Sequence, residues 1–164
     1  LVVTAGILHL FNPALMKAAL FMAMGCVMYR IGSVQLQKMA GLGKAMPWTM
    51  AAFVLSGLSL IGVPLTVGFV SKWYLVQAAL EQGRWGVAGI VMVGSLMAVV
   101  YIWKVVEVAY FGELDPDHEV KEAPLSLLVP TWALVLASFW FGIDATGTAE
   151  VATAAAETLR RGIP

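Results

Sequence analysis

Long apolar stretches, separated by short polar gaps, dominate the chain and predict helices that cross a membrane. A helix needs about 20 apolar residues to span a hydrocarbon core of ~30 Å. Four stretches reach about that length, and they cover residues 2–29, 47–80, 85–111 and 125–143. The sequence therefore predicts an all-α fold, a polytopic transmembrane helix bundle of about four spans.

The second stretch is too long for one straight crossing and contains a break. At ~1.5 Å per residue, a straight helix over it would extend about 50 Å. Gly62 and Pro64 interrupt it in the sequence Gly-Val-Pro, and proline removes a backbone donor. Because irregular backbone persists in a bilayer only where protein or a water-filled cavity satisfies it, the break is a functional signal. We predict two half-helices, at about 47–62 and 65–80.

Composition and charge agree with a membrane protein. Apolar residues make up 60% of the chain and charged residues 12%, and the mean hydropathy is +0.86, whereas soluble domains average about 45–50% and about 25%. The net charge is zero, and without a basic patch no nucleic-acid binding is expected. The chain begins with Leu1, directly in apolar sequence, which predicts a truncated chain and no signal peptide. We expect residues 1–143 to form the transmembrane region and 144–164 a C-terminal tail, with an amphipathic surface helix at 147–161.

Lys72 is the most unusual residue in these stretches. It follows the break in the sequence Gly-Phe-Val-Ser-Lys and lies about 13 Å before Glu81, too far for its side chain to reach that end. A lysine at membrane depth costs roughly 2.5 kcal/mol or more, so it usually faces protein or water and marks an ion or proton path. We predict that Lys72 accepts and releases protons, and that Ser71 supplies a hydroxyl to a neighbouring carbonyl or water. A structural hydrogen bond or ion pair is the alternative for Lys72.

A second polar stripe lies in the first stretch. His9, Pro13 and Lys17 are spaced four residues apart, which places them on one face of a helix. Pro13 leaves the main-chain carbonyl of His9 without its helical donor, and a free carbonyl, an imidazole and an ammonium together attract water. The stripe therefore predicts a functional role for Lys17 and for His9. The alternatives are a structural pair for Lys17 and a hydrogen-bonded core position for His9.

The remaining polar residues carry weaker signals. Lys104 and Glu107 are three residues apart near the end of the third stretch, which predicts an ion pair, with a role in transport as the alternative. His9, His118 and the single cysteine, Cys26, show no metal-ligand spacing, so we predict no metal site, a solvated His118 and a buried Cys26. No phosphate-binding loop or nucleophile motif is visible. We expect no cofactor, and a transport element in place of an enzyme.

Two motifs resemble those of a known membrane family. Residues 9–25, His-Leu-Phe-Asn-Pro-Ala-Leu-Met-Lys-Ala-Ala-Leu-Phe-Met-Ala-Met-Gly, resemble the H-x-x-N-H-A-x-x-K-x-x-L-F-x-x-x-G run of antiporter-like subunits. Residues 46–49, Met-Pro-Trp-Thr, and 62–75, Gly-Val-Pro-Leu-Thr-Val-Gly-Phe-Val-Ser-Lys-Trp-Tyr-Leu, resemble the family's later broken helix. The family comprises the proton-conducting subunits shared by Mrp-type cation/proton antiporters and respiratory complex I. The second motif is most similar to the D-type subunits of Mrp antiporters.

The resemblance implies roles for particular residues and a setting for the chain. It implies that the chain is the C-terminal part of a longer subunit. Lys17 would match a lysine in the central hydrophilic axis, His9 the relay histidine before it, and Lys72 the terminal basic residue of the second half-channel. Pro13 stands where the family usually has a second histidine, so water or a side chain from another helix would bridge that step. Other membrane subunits, the lipid bilayer, protons, and sodium or potassium are the implied partners, in a multi-pass protein of the bacterial inner membrane.

Three interpretations follow from these residues. The favoured one is proton translocation within a multi-subunit monovalent cation/proton antiporter. In it, Lys17 and Lys72 are alternately protonated stations, and water enters at the break between Gly62 and Pro64. The second is a proton-pumping subunit of complex I, the NADH-quinone oxidoreductase, or of a related membrane hydrogenase. The third is a non-conducting structural fragment.

Overall fold

Helices make up nearly all of the structure, a computed structural model that describes residues 2–114 and 119–162. Leu1, His118 and the last two residues lie outside this part. Within it the elements are α1 (Val2–Ile31), a 3₁₀ turn (Leu36–Met39), α2 (Leu42–Ala45), α3 (Pro47–Ile61), α4 (Val67–Glu81), α5 (Trp85–Phe111), α6 (Leu125–Ile143) and α7 (Ala145–Arg161). The predicted all-α fold is confirmed.

Three of the described helices, α1, α5 and α6, are long and apolar enough to cross a membrane. They coincide with the first, third and fourth predicted stretches. The second stretch forms α3 and α4, which have 15 residues each and therefore extend about 22 Å each. Neither half alone matches a hydrocarbon core of ~30 Å. The bundle is thus polytopic, with one crossing assembled from two half-helices.

The break between α3 and α4 lies where the sequence predicted it. Gly62 ends α3 with a φ of 93°, in the left-handed region that glycine adopts without a steric penalty. Leu65 also has a positive φ, of 73°, which is strained for a residue with a Cβ atom. Thr66 then caps the start of α4, and its Oγ1 accepts a hydrogen bond from the Phe69 N–H at 3.4 Å. The helix therefore stops and restarts within five residues.

Helix α1 is the centre of the bundle and contacts α3, α4, α6 and α7. Its second half packs Ala23 and the buried Cys26 against Met50 and Phe53 of α3. Nearer its start, Asn12 is hydrogen-bonded to the first residue of α4. The two half-helices therefore follow one another along α1, and the break lies beside the middle of α1, away from the bundle ends.

The tail beyond α6 is helical and packs on the bundle. Helix α7 begins at Ala145, two residues before the predicted start, and ends at Arg161. Ala152 and Ala156, four residues apart on one face, are buried, and α7 lies against α1. This face is small and apolar, as expected for an amphipathic helix seated on its neighbour.

Candidate functional site

Lys72 lies in the second turn of α4, and its side chain reaches back to the end of α3. Its Nζ donates to the carbonyls of Leu60 at 2.7 Å and Ile61 at 2.8 Å, and to Ser95 Oγ at 2.8 Å. These contacts use all three N–H groups of an ammonium. The last carbonyls of a helix lack intrahelical donors and carry the negative end of its dipole. The ammonium is therefore held where the break exposes acceptors.

Ser95, in the middle of α5, is a partner of Lys72 that the sequence analysis did not identify. Its Oγ also donates to the carbonyl of Val91, one turn earlier, at 3.2 Å. Because the hydroxyl gives its own hydrogen to Val91, its lone pairs remain available to the ammonium. The one available signal was that Ser95 is the only serine in a helix that is otherwise strongly apolar. That helix shows no polar face that would have placed Ser95 towards α4.

A cavity of about 280 Å³, lined by both polar and apolar side chains, opens beside this ammonium, between α1, the end of α3, α4 and α5. It has room for several water molecules, since one occupies about 30 Å³ in the liquid. His9, Lys17 and Lys72 all line it, so the structure brings together the three residues predicted to move protons. The complete lining is His9, Pro13, Met16, Lys17, Leu60, Ser71, Lys72, Val91, Gly94, Ser95, Ala98 and Tyr101.

The stripe on α1 faces this cavity. His9, Pro13 and Lys17 all line it, as expected for residues spaced four apart, and α1 continues through Pro13 without ending. His9 and Lys17 are exposed in this chain, whereas Lys72 is half-buried. The described lining holds two ammonium groups and no carboxylate. Like charges around one cavity repel each other.

Asn12 joins α1 to the start of α4 by a hydrogen bond. It is a second residue whose structural role the sequence did not predict. Its side chain is fully buried, and its Nδ2 donates to the carbonyl of Val67 at 3.1 Å. Beside it, Gly68 lets the start of α4 pack directly on α1 and α3. A Cβ atom there would overlap the carbonyl oxygen of Ser59 and lie 2.7 Å from Met16 Sδ. The break is therefore held in place by close backbone contact.

The other predicted residues fall into two groups. Ser71 is buried and lines the cavity, and its Oγ donates to the neighbouring carbonyl of Gly68 at 3.2 Å. Lys104 and Glu107 are exposed and are not part of the cavity lining. Their ion pair stays a prediction, and His118 lies outside the described residues.

Three long apolar helices, a broken crossing and a cavity lined by two lysines define this chain as part of a polytopic helical membrane protein. The particular family follows from the sequence: the chain belongs to the family described as "NADH:quinone oxidoreductase/Mrp antiporter, TM", which it matches over residues 2–98. That match contains both motifs of the sequence analysis, and the resemblance stated there is confirmed.

Similar proteins come from both branches of this family. The chain is 41% identical to the N subunit of the NADH-quinone oxidoreductase of Desulforudis audaxviator over 73% of its length. It is 29% identical to the D subunit of the Na(+)/H(+) antiporter of Bacillus subtilis over 96% of its length. It superposes on a chain of the Mrp complex from Dietzia sp. DQ12-45-1b with a TM-score of 0.83 and 26% identity, over 92% of its length. It spans 24% and 32% of the two relatives and 36% of the Dietzia chain.

Proposed function

We propose that this chain carries part of a proton path through the membrane, as a segment of a proton-translocating subunit in a multi-subunit cation/proton antiporter. One observation carries the proposal: Lys17, Lys72 and His9 all line one cavity, next to a broken membrane helix. Family membership supports it, since the description of the family names the NADH:quinone oxidoreductase and the Mrp antiporter. Other membrane subunits are the proposed partners, in agreement with the likeness to an Mrp complex.

The proposed mechanism moves a proton by steps through water in the cavity. Lys72 as an ammonium gives one proton to an adjacent water, and the excess proton passes along the water to Lys17 or His9. Lys17 and His9 are two helical turns apart, about 12 Å along the axis, so water bridges them where Pro13 replaces a protonatable side chain. Ser95 and Tyr101, from α5, line the same space and offer hydroxyls to that water.

Two lysines in one cavity are the proposed stations of the path. Lys17 and Lys72 both line it, and the described lining holds no carboxylate that would pair permanently with either. The carbonyls of Leu60 and Ile61 stabilise the charge when it is on Lys72. In the proposed path the two lysines carry the proton in turn.

A redox-driven complex is the second candidate for the machine that contains this chain. It is favoured by the 41% identity to the N subunit of an NADH-quinone oxidoreductase. Both candidates use the same cavity and differ in what drives the proton. Proton uptake that follows an imposed sodium or potassium gradient supports the antiporter. Uptake that requires electron transfer to a quinone supports the redox-driven complex.

The test of the proton path is flux through the complete complex in sealed membrane vesicles. We expect Lys72→Ala and Lys17→Ala each to reduce proton flux about tenfold or more, since each removes a protonatable group from the path. Lys44→Ala is the matched control, because Lys44 is exposed on α2 and outside the cavity lining. Wild-type flux in both cavity variants, at equal amounts of protein, would contradict the proposal. The chain would then be interpreted as a non-conducting structural fragment.

A further inference from the structure

The Lys72 ammonium is held by two main-chain carbonyls and one side chain, and that side chain belongs to another helix. Leu60 and Ile61 offer main-chain oxygens that mutation does not remove. Ser95 Oγ, at 2.8 Å, is the one contact of the three that a substitution can delete without changing the break itself. It joins α5 to the broken crossing formed by α3 and α4.

The direction of these hydrogen bonds makes Ser95 an acceptor for the ammonium. Its hydrogen goes to the carbonyl of Val91 at 3.2 Å, and so the oxygen faces Lys72 with free lone pairs. An acceptor of this kind favours the charged form of its partner. Without it, one N–H of Lys72 would point into the cavity with only water to receive it.

We propose that Ser95 is a positioning residue: it holds the Lys72 ammonium at the break and sets the pH range over which Lys72 gives up its proton. This inference rests on the proposed proton path through Lys72. Ser95 itself gains and loses no proton in the sequence of steps. Its hydroxyl keeps one hydrogen throughout, and only the hydrogen bond from Lys72 is made or lost.

Other ionisable groups near Lys72 are few among the described residues. His9 and Lys17 of α1 and Tyr101 of α5 line the same cavity. The residues of α3 and α6, both of which pack near α4, include no acidic, basic, histidine or tyrosine side chain. On α4 itself the other ionisable side chains are Tyr74 and Glu81. The remaining acidic, basic and tyrosine side chains on α5 and α1 lie outside the cavity lining; they are Lys104, Glu107, Tyr110, Tyr29 and Arg30. A change at Ser95 therefore leaves every ionisable group in place and alters one hydrogen bond to Lys72.

The experiment measures proton flux against pH in vesicles containing the complete complex, with Ser95→Ala and Ser95→Thr. We expect Ser95→Ala to move the alkaline fall of the curve to lower pH by about half a unit or more, since the ammonium loses an acceptor. Ser95→Thr keeps a hydroxyl that bonds the carbonyl one turn earlier, so its curve should remain close to wild type. Ser138→Ala is the matched control: Ser138 on α6 also donates to a carbonyl four residues earlier, and it lies outside the cavity lining.

The outcomes separate this inference from the proton path itself. If Lys72→Ala lowers flux while the Ser95→Ala curve overlays wild type, Ser95 has no positioning role and the path survives. An equal loss of flux at every pH in Ser95→Ala, with the midpoint unchanged, would also contradict positioning and indicate a structural effect. If Lys72→Ala alone keeps wild-type flux, the positioning role of Ser95 fails; if Lys17→Ala does so as well, the proton path fails with it.

Discussion

The environment of Lys72 is one that the sequence predicts only in part, because it does not predict all of the residue's hydrogen-bond partners. Its depth in an apolar stretch predicts that it faces protein or water, and its three hydrogen bonds are all to protein groups. Two of its partners lie 11 and 12 residues earlier, across a break that the sequence marks with Gly62 and Pro64. Ser95 lies 23 residues later on a nearly uniform apolar helix, and periodicity alone assigns no face to such a helix.

Glu122 is a second residue with a defined position that its sequence context hides. It belongs to the acidic loop before α6, where a solvated charge is the ordinary expectation. Its carboxylate instead accepts from the Trp48 N–H at 2.8 Å and from Thr49 Oγ1 at 2.6 Å, at the start of α3. Arg30 Nε donates to the Glu122 carbonyl at 2.8 Å. The negative side chain thus satisfies a helix N-terminus from a distant segment.

Removing this carboxylate is expected to destabilise the bundle measurably. Glu122→Ala should lower the free energy of unfolding by about 1–2 kcal/mol, the usual value of an N-terminal cap. Thermal unfolding of the purified protein in detergent measures it as a lower Tm. Glu119→Ala is the control, since Glu119 is exposed in the same loop and should change stability by less than about 0.5 kcal/mol. Equal Tm values for the two variants would contradict the capping role.

At the scale of elements, the position of the break between α3 and α4 was predictable from the sequence, but the packing that supports it was not. Glycine and proline signals predicted where α3 stops, because their backbone chemistry is local. The packing that supports the break is not local: Gly142, at the end of α6, lies so close that a Cβ atom there would overlap the main chain of Leu65 and Thr66. Such close approach depends on helices distant in sequence, and therefore it appears only in the folded chain.

Gly68 is the element-scale test of that packing. A methyl group at Gly68 would overlap the Ser59 carbonyl, a main-chain atom that has no rotamer through which to withdraw. We expect Gly68→Ala to cost about 3 kcal/mol or more, seen as a large loss of Tm or of folded protein in the membrane. Gly89→Ala, on α5 with nothing within 4 Å of the added atom, should be neutral or stabilising by up to about 1 kcal/mol. A Gly68→Ala protein as stable as the Gly89→Ala control would show that the half-helices do not pack as described.

At the scale of the whole molecule, one helix organises the site. Helix α1 contacts the half-helices α3 and α4, and also α6 and α7. Its residues His9 and Lys17 line the same cavity as Lys72. Helical spacing predicted that His9 and Lys17 share a face. It could not predict that Lys72 faces the same space, since this depends on how the broken crossing follows α1. The family resemblance implied that Lys17, His9 and Lys72 belong to one proton path, and in the structure all three line one cavity.

The most direct test fills the cavity and leaves every proton-carrying residue intact. Gly94 lines the cavity, and a Cβ atom added there meets nothing within 4 Å, so Gly94→Leu places an apolar group in the proposed water path without a clash at its Cβ. Gly89→Leu makes the same change on the same helix, outside the cavity lining, and its Cβ atom also meets nothing within 4 Å. Apolar constrictions stop conduction by excluding water.

Proton flux through the complete complex, at matched amounts of the two variants, gives the result. We expect Gly94→Leu to lower flux about tenfold or more, because its side chain displaces the bridging water, and Gly89→Leu to keep wild-type flux. Equal, wild-type flux in both variants would contradict a water path through this cavity.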